Sequence, residues 1–466
     1  LATVLLTWKL GSRMFDPRAA WLGAALLAVC PMVVWDAHQA RADQLLMAAT
    51  TAAMACLYGA VRTGSVGSAL AFWALVGIGV LAKGFITPLV AGGAIAMLLL
   101  VSDDRRRLLA RVRPIEGVLV LAAVVVPWVA LVAARFGWGE YMALIWDETF
   151  RRAAAGSREG HFAPPGTHLL LLGALFWPGC LGAVFGFMRA VRLGLPARNP
   201  GAGRWTFRRR AGRRGELFLL AWIVPAWIIF ELSLAKLPHY TLPLYPAVAL
   251  LCARAVLGAA FSRESGRLHR LGVVVWWGAP LVLGLGLCAI GLACVWQDAL
   301  GVGPYVEAIS PLGAGLLLAG GGAAVVLTLA CAPTTTGRWA PRAQIASIVA
   351  AAAITAPLLQ WIAPAVVPGA RTAAAMRIVE TVPGLARRPV ASTYHEDSMV
   401  FSTRGRVVRL APERMAEYLA AHPDAVIIRE GRHSDDDGRV EGLPLIGTTR
   451  GDPWIGRRPL GVSAAP

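Results

Sequence analysis

The sequence predicts an all-α polytopic membrane protein of about twelve visible transmembrane helices, followed by a small C-terminal α/β domain. Three observations predict it. The 466 residues are 57% hydrophobic and 15% charged, where a soluble domain is nearer half apolar and a quarter charged. The apolar residues gather in runs long enough to cross a bilayer, for which about 20 residues suffice. Arginines fill the short segments between alternate runs, as positive-inside topology requires.

The elements follow in order. The chain opens in an apolar stretch, LATVLLT, too short to span and read as part of a first helix. Lys9, Arg13 and Arg18 flank the gap after it and place that gap in the cytoplasm. Alternation from there gives spans near 18–36, 44–61, 66–82, 85–101, 115–134, 168–188, 216–235, 239–258, 273–296, 309–331 and 344–366. Arg105, Arg106, Arg107, Arg111 and Arg113, the arginine-rich loop 189–214, Arg263, Arg267, Arg270, Arg338 and Arg342 all land inside. A misplaced helix would invert every later loop, so this agreement constrains all the spans together.

Three features are left on the outer face: loop 135–167, the hairpins at 41–43, 83–84 and 236–240, and a polar tail. The expected division is a membrane domain over 1–368 and a periplasmic α/β domain over 369–466. In the tail, strand-like pieces at 389–394, 406–410 and 425–429 surround a helical piece at 412–421. The acidic run 434–438 lacks calcium-loop spacing and reads as a solvated turn.

Composition excludes several classes. A net charge of +18 would suggest nucleic acid in a soluble chain. Here the densest cluster, RWTFRRRAGRR at 204–214, has no zinc motif or stacking platform beside it. The seven cysteines lie in or beside apolar runs without a CxxC pair, and read as small buried hydrophobes. No organic cofactor is implied, and a divalent cation is left open. The chain shows neither an initiator Met nor a signal peptide, so a lost N-terminal segment is expected.

The most informative segment is SLAKLPHYTLPLYP, residues 233–246. Lys236, His239 and Tyr240 fall at the outer mouth of the membrane, where an inward-going helix begins. Pro238 suits a helix start because its missing N–H would be unpaired there. A helix N-terminus beside a lysine favours a bound phosphate. Snorkelling to the headgroups is the bland alternative. Outer boundaries are normally poor in Lys and Arg, yet two of the chain's three lysines, Lys83 and Lys236, occupy equivalent outer positions. Lysine is a compact charge with three donors, well matched to phosphate oxygens.

Arg41 and Asp43, in DAHQARADQLL, lie at another outer hairpin. Asp43 is placed to accept a proton from an attacking hydroxyl, to pair with Arg41, or to cap the helix beginning at Gln44. Asp36 reads as structural. Loop 135–167 opens with an aromatic-rich amphipathic piece, 138–152, suited to the membrane interface. Glu148 and Arg152 stand at i,i+4, and His161 precedes a proline pair at Pro164 and Pro165. A mobile flap of this kind would gate a lipid-linked substrate.

Taken together, ARADQLL, VLAKGF, the Glu148–Arg152 loop with His161 and its prolines, and above all SLAKLPHYTLPLYP resemble the aminoarabinose and protein-mannosyl transferase family, which are C-type glycosyltransferases. The resemblance implies a bacterial inner-membrane enzyme that moves a sugar, with inversion, from a polyprenyl-phosphate donor to a periplasmic-side acceptor such as lipid A, another glycolipid, a glycan or a protein. The bilayer is a partner and nucleic acid is not. The resemblance assigns Asp43 to the family's second outer acidic position, as the catalytic candidate. Lys83, Arg152, Glu148, His161, Lys236, His239 and Tyr240 become substrate-binding candidates. It also places the family's principal Asp on a first periplasmic loop preceding this chain, so that the chain as written is expected to bind donor without transferring sugar. A transporter or flippase, or an inactive structural subunit, are the alternatives. Transporters place their coupling charges near the midplane, whereas mid-span charges are nearly absent here.

Overall fold

A computed structural model describes residues 1–39, 41–102, 104–147, 163–194, 214–258, 267–296, 311–331, 340–362, 369–394, 397–431, 438–449 and 460–465. The chain forms two compact units, Leu1–Gly303 with Pro311–Ala356, and Pro304–Ser310 with Pro357–Pro466.

The first unit is helical. Its elements are α1 (Ala2–Met14), α2 (Pro17–Ala28), α3 (Pro31–Ala37), α4 (Asp43–Thr63), α5 (Val66–Lys83), α6 (Ile86–Leu100), α7 (Arg105–Val112), α8 (Pro114–Phe136), α9 (Trp138–Trp146), α10 (Thr167–Leu175), α11 (Cys180–Gly194), α12 (Arg214–Leu232), α13 (Tyr245–Leu257), α14 (Arg267–Val295), α15 (Pro311–Cys331) and α16 (Ala340–Pro357). Among the described residues seven helices are long and apolar enough to cross a membrane, or eight if α2 and α3, bent by 56°, form one broken span. The expected polytopic helical fold is therefore present, with several spans segmented. Pro31 starts α3 after a break at Val29–Cys30, and the run expected at 168–188 divides into α10 and α11. The segment expected as one helix over 239–258 opens as a 3-10 turn, Pro238–Leu244, before α13 begins.

Helix α13 is the centre of this unit. The apolar part of the span Pro238–Leu257, which contains it, is 83% buried, against 6% for that of Arg105–Phe136, which contains α8. Helix α8 turns Leu119, Trp128 and Leu131 outward, the distribution expected of a lipid-facing helix. Close packing around α13 uses small residues. A Cβ on Gly186 would collide with the Leu251 carbonyl, and one on Gly182 with the Cys252 sulfur. This glycine pair, four residues apart, lets α11 lie directly on the α13 backbone.

At the end of the bundle where α12 begins, four helices are tied by charge. Glu216 is buried and accepts from Arg189 Nη1 at 3.0 Å and Arg254 Nη2 at 3.4 Å, while Arg254 Nη1 reaches Asp16 at 3.3 Å. A buried carboxylate needs such partners to offset its desolvation. Glu231 lies fifteen residues further along α12, roughly 22 Å away at 1.5 Å per residue, and marks the opposite end of the bundle, where the candidate site is found.

The second unit contains α17 (Gly369–Thr381), α18 (Asp397–Ser402), α19 (Met415–Ala421) and five strands, β1 (Val390–Ser392), β2 (Val408–Arg409), β3 (Val426–Glu430), β4 (Leu445–Thr448) and β5 (Leu460–Ala464). Their order is β2-β1-β3-β5-β4. β2, β1 and β3 run parallel, and β5 pairs antiparallel with both β3 and β4. The α/β expectation for the tail holds. The three expected strands and the helix are present, while β4 and β5 are additional. The acidic run at 434–438 lies outside the described residues apart from Gly438.

Candidate functional site

The site is built where α3, α4, α5, α10, α12 and the Pro238–Leu244 turn end together. Helix α5 ends on Lys83 because Gly84 adopts φ +62°, ψ −134°, a conformation open essentially to glycine. That places the Lys83 ammonium at the helix terminus, 2.6 Å from Asp43 Oδ1. Asp43 is the first residue of α4 and its side chain is 4% exposed. Neither local role expected for Asp43 is found. Helix α4 has no side-chain cap, with Ala42 at the N-cap, and Arg41 instead contacts His239, Nη1 to Nδ1, at 3.3 Å. Asp43 is thus matched across the bundle by Lys83, and the Arg41 guanidinium faces the segment around His239.

Tyr240 is the hub. Lys83 Nζ sits 5.9 Å from its ring centroid, within cation–π range. His239 and His168 both meet the ring edge-on, at 5.1 Å and 6.5 Å. The 3-10 turn that carries Tyr240 is held against α12 by the Trp222 indole N–H, which donates to the Pro243 carbonyl at 3.2 Å. Asp43, Lys83 and Tyr240, which lie in three separate motifs of the sequence, are therefore one cluster.

Lys236 is buried and donates to two backbone carbonyls, Ala163 at 2.9 Å and Ser233. An ammonium has three donors, so one remains. Nearby, Glu231 accepts from the amides of Gly166 at 2.8 Å and Leu169 at 3.0 Å, two of the otherwise unpaired N–H groups at the start of α10. Residues 231–236 thus grip the chain around 163–169 with a carboxylate and an ammonium together. Glu148, Arg152 and His161 lie outside the described residues.

Two residues of the cluster carry polar atoms that no sequence pattern singled out. Asp36 is fully buried. Its Oδ2 accepts from Gln44 Nε2 at 2.9 Å, tying α3 to α4 as its structural reading suggests, while Oδ1 meets no partner. His168 is 3% exposed, and neither ring nitrogen has a hydrogen-bond partner among the described residues. Among the described residues no group of three or more His, Cys, Asp and Glu is arranged to hold a metal ion.

The cluster offers three carboxylates (Asp36, Asp43 and Glu231), two ammonium groups, a guanidinium and an aromatic platform within a partly buried mouth. Its cations can contact an anionic head group, with Asp43 beside Lys83 as a candidate proton acceptor.

The chain is similar to known proteins in sequence and in fold. Residues 1–130 match the family model described as dolichyl-phosphate-mannose-protein mannosyltransferase. The undecaprenyl phosphate-alpha-4-amino-4-deoxy-L-arabinose arabinosyl transferase of Erwinia tasmaniensis is 29% identical over 261 residues, 54% of this chain and 43% of that protein. Its counterpart from Edwardsiella ictaluri is 28% identical over 295 residues, 61% and 48% respectively. The chain spans about half the length of the curated relatives it matches. The crystal structure of ArnT from Cupriavidus metallidurans bound to undecaprenyl phosphate superposes with a TM-score of 0.66 at 18% identity, over 99% of this chain and 82% of that one. The likeness expected from the motifs is present in both sequence and fold.

Proposed function

We propose that this chain, a multi-pass membrane protein related to the aminoarabinose and protein-mannosyl transferases, is a glycosyltransferase that takes a sugar from a polyprenyl-phosphate donor. The observation that carries the proposal is the convergence of Lys83, Asp43 and Tyr240 with Arg41 and His239 at one end of the bundle. In this reading the site end faces the periplasm, the arginine-rich loops face the cytoplasm of a bacterial inner membrane, and the tail from 369 forms a periplasmic domain.

The reaction is a displacement with inversion. The acceptor hydroxyl oxygen attacks the anomeric carbon, the bond from that carbon to the phosphate oxygen breaks, and the electron pair leaves on the lipid phosphate. A phosphate is already acidic, so the leaving group needs positive charge more than a proton. Lys83 supplies that charge, sharing its three donors between Asp43 and a phosphate oxygen. Asp43 receives the acceptor's proton, provided that hydroxyl lies within about 3 Å. His239 and Tyr240 orient the head group, Arg41 extends the cationic rim, and Lys236 adds its remaining donor. Glu148, Arg152 and His161 are proposed as further substrate contacts. The acceptor class comprises lipid A, another glycolipid, a glycan or a protein.

The test titrates the purified chain with undecaprenyl-phosphate-linked pentose and hexose donors and measures binding. Binding by the wild type, weakened at least about tenfold by Lys83→Ala, is the expected result, in line with loss of one hydrogen bond between charged groups. Equal binding by both proteins would remove Lys83 from the site.

A further inference from the structure

Beyond the residues that sequence patterns suggest, we infer that His168 is a direct ligand of the donor lipid's phosphate. The inference rests on the donor reading above. His168 is the second residue of α10, and the structure fixes it from three directions. Glu231 holds the Gly166 and Leu169 amides on either side of it, Lys236 anchors the chain at Ala163, and the His168 ring packs edge-on against Tyr240. So firmly placed a ring would ordinarily be satisfied. Instead both nitrogens are buried and meet no partner among the described residues.

Leaving a buried polar group unmet is costly, and such groups are exceptional in folded proteins. The exception is located at the site, sharing the Tyr240 ring with Lys83 and His239. A neutral imidazole always keeps one N–H donor, and phosphate oxygens are acceptors. The cation next to it, Lys236, retains one donor after its two carbonyl contacts. The adjoining anion, Glu231, already has both oxygens occupied by backbone amides. Phosphate is therefore the head-group component that both neighbours accommodate.

The test measures undecaprenyl phosphate binding to the purified chain in detergent for the wild type, His168→Phe, His168→Gln and Lys83→Ala, with thermal unfolding of each ligand-free protein. His168→Phe keeps the ring packing and removes both unmet nitrogens. Its melting temperature is expected to equal or exceed that of the wild type, while its affinity falls about tenfold or more, as for one lost hydrogen bond to a charged group. His168→Gln, which keeps a donor, is expected to bind between the two. A merely structural histidine predicts the opposite pair of results, a lower melting temperature and unchanged affinity. If His168→Phe binds within twofold of the wild type while Lys83→Ala loses binding, this inference fails and the donor reading stands. If the wild type does not bind undecaprenyl phosphate, both fall.

Discussion

Lys83 Nζ and Asp43 Oδ1 are 2.6 Å apart, brought together from the last residue of one helix and the first residue of another, forty positions earlier in the chain. Asp43 is almost fully buried and Lys83 about one-third exposed. Removing only the lysine leaves a buried carboxylate without its counter-charge, which is the more damaging change. A double-mutant cycle of Lys83→Met and Asp43→Asn, read by unfolding in detergent, is expected to give a coupling of about 0.5–3 kcal/mol. Strictly additive single effects would mean that the pair is a surface contact of little consequence.

Lys236 performs a structural task as well as its proposed chemical one. With Ala substituted, the Ala163 and Ser233 carbonyls lose their donor and the grip on residues 163–169 weakens. We expect Lys236→Ala to weaken undecaprenyl phosphate binding about tenfold or more, as for one lost hydrogen bond to a charged group. Lys236→Arg should restore only part of this, because a planar guanidinium does not replace a compact charge held between two carbonyls. Wild-type binding by correctly inserted Lys236→Ala would reduce the residue to a headgroup contact.

Glu231 supplies the cap of α10 from another helix. Glu231→Ala leaves the Gly166 and Leu169 amides without their acceptors, and the expected destabilisation is about 1–3 kcal/mol. Glu231→Gln, with a single carbonyl oxygen, should recover part of it. Thermal unfolding of the two variants measures both effects, and an unchanged midpoint for the Ala variant would show that water replaces the carboxylate at no cost.

Orientation in the membrane is tested separately from chemistry. A reporter active only in the periplasm should be silent when fused after Gly201 and active when fused after Pro423. The reverse pattern would turn the site toward the cytoplasm and end the periplasmic account.

Much of the fold is legible because the bilayer imposes length and charge rules on each span separately. The broken spans are less so, since apolar runs hide the turns that Pro31 and the segment before Cys180 introduce. Strands β4 and β5 escape notice for another reason. β5 is short and wholly buried, without the alternation that marks a half-exposed strand. At the site, the lysines stand out because they are rare and sit where basic residues are normally avoided. Asp43 offers pairing with Arg41 or a helix cap on paper, and the structure replaces both with a partner forty residues away. His168 gives no signal at all in one dimension. A histidine opening an apolar run looks like an interfacial residue, and its meaning appears only when Tyr240, Glu231 and Lys236 surround it.

A cryo-electron structure of the purified chain with undecaprenyl phosphate tests the donor site most directly. The lipid phosphate is expected at the mouth formed by Asp43, Lys83 and Tyr240, with an oxygen about 3 Å from Lys83 Nζ, the range of a charge-assisted hydrogen bond. A phosphate seated elsewhere, with Lys83 engaged by Asp43 alone, would contradict it.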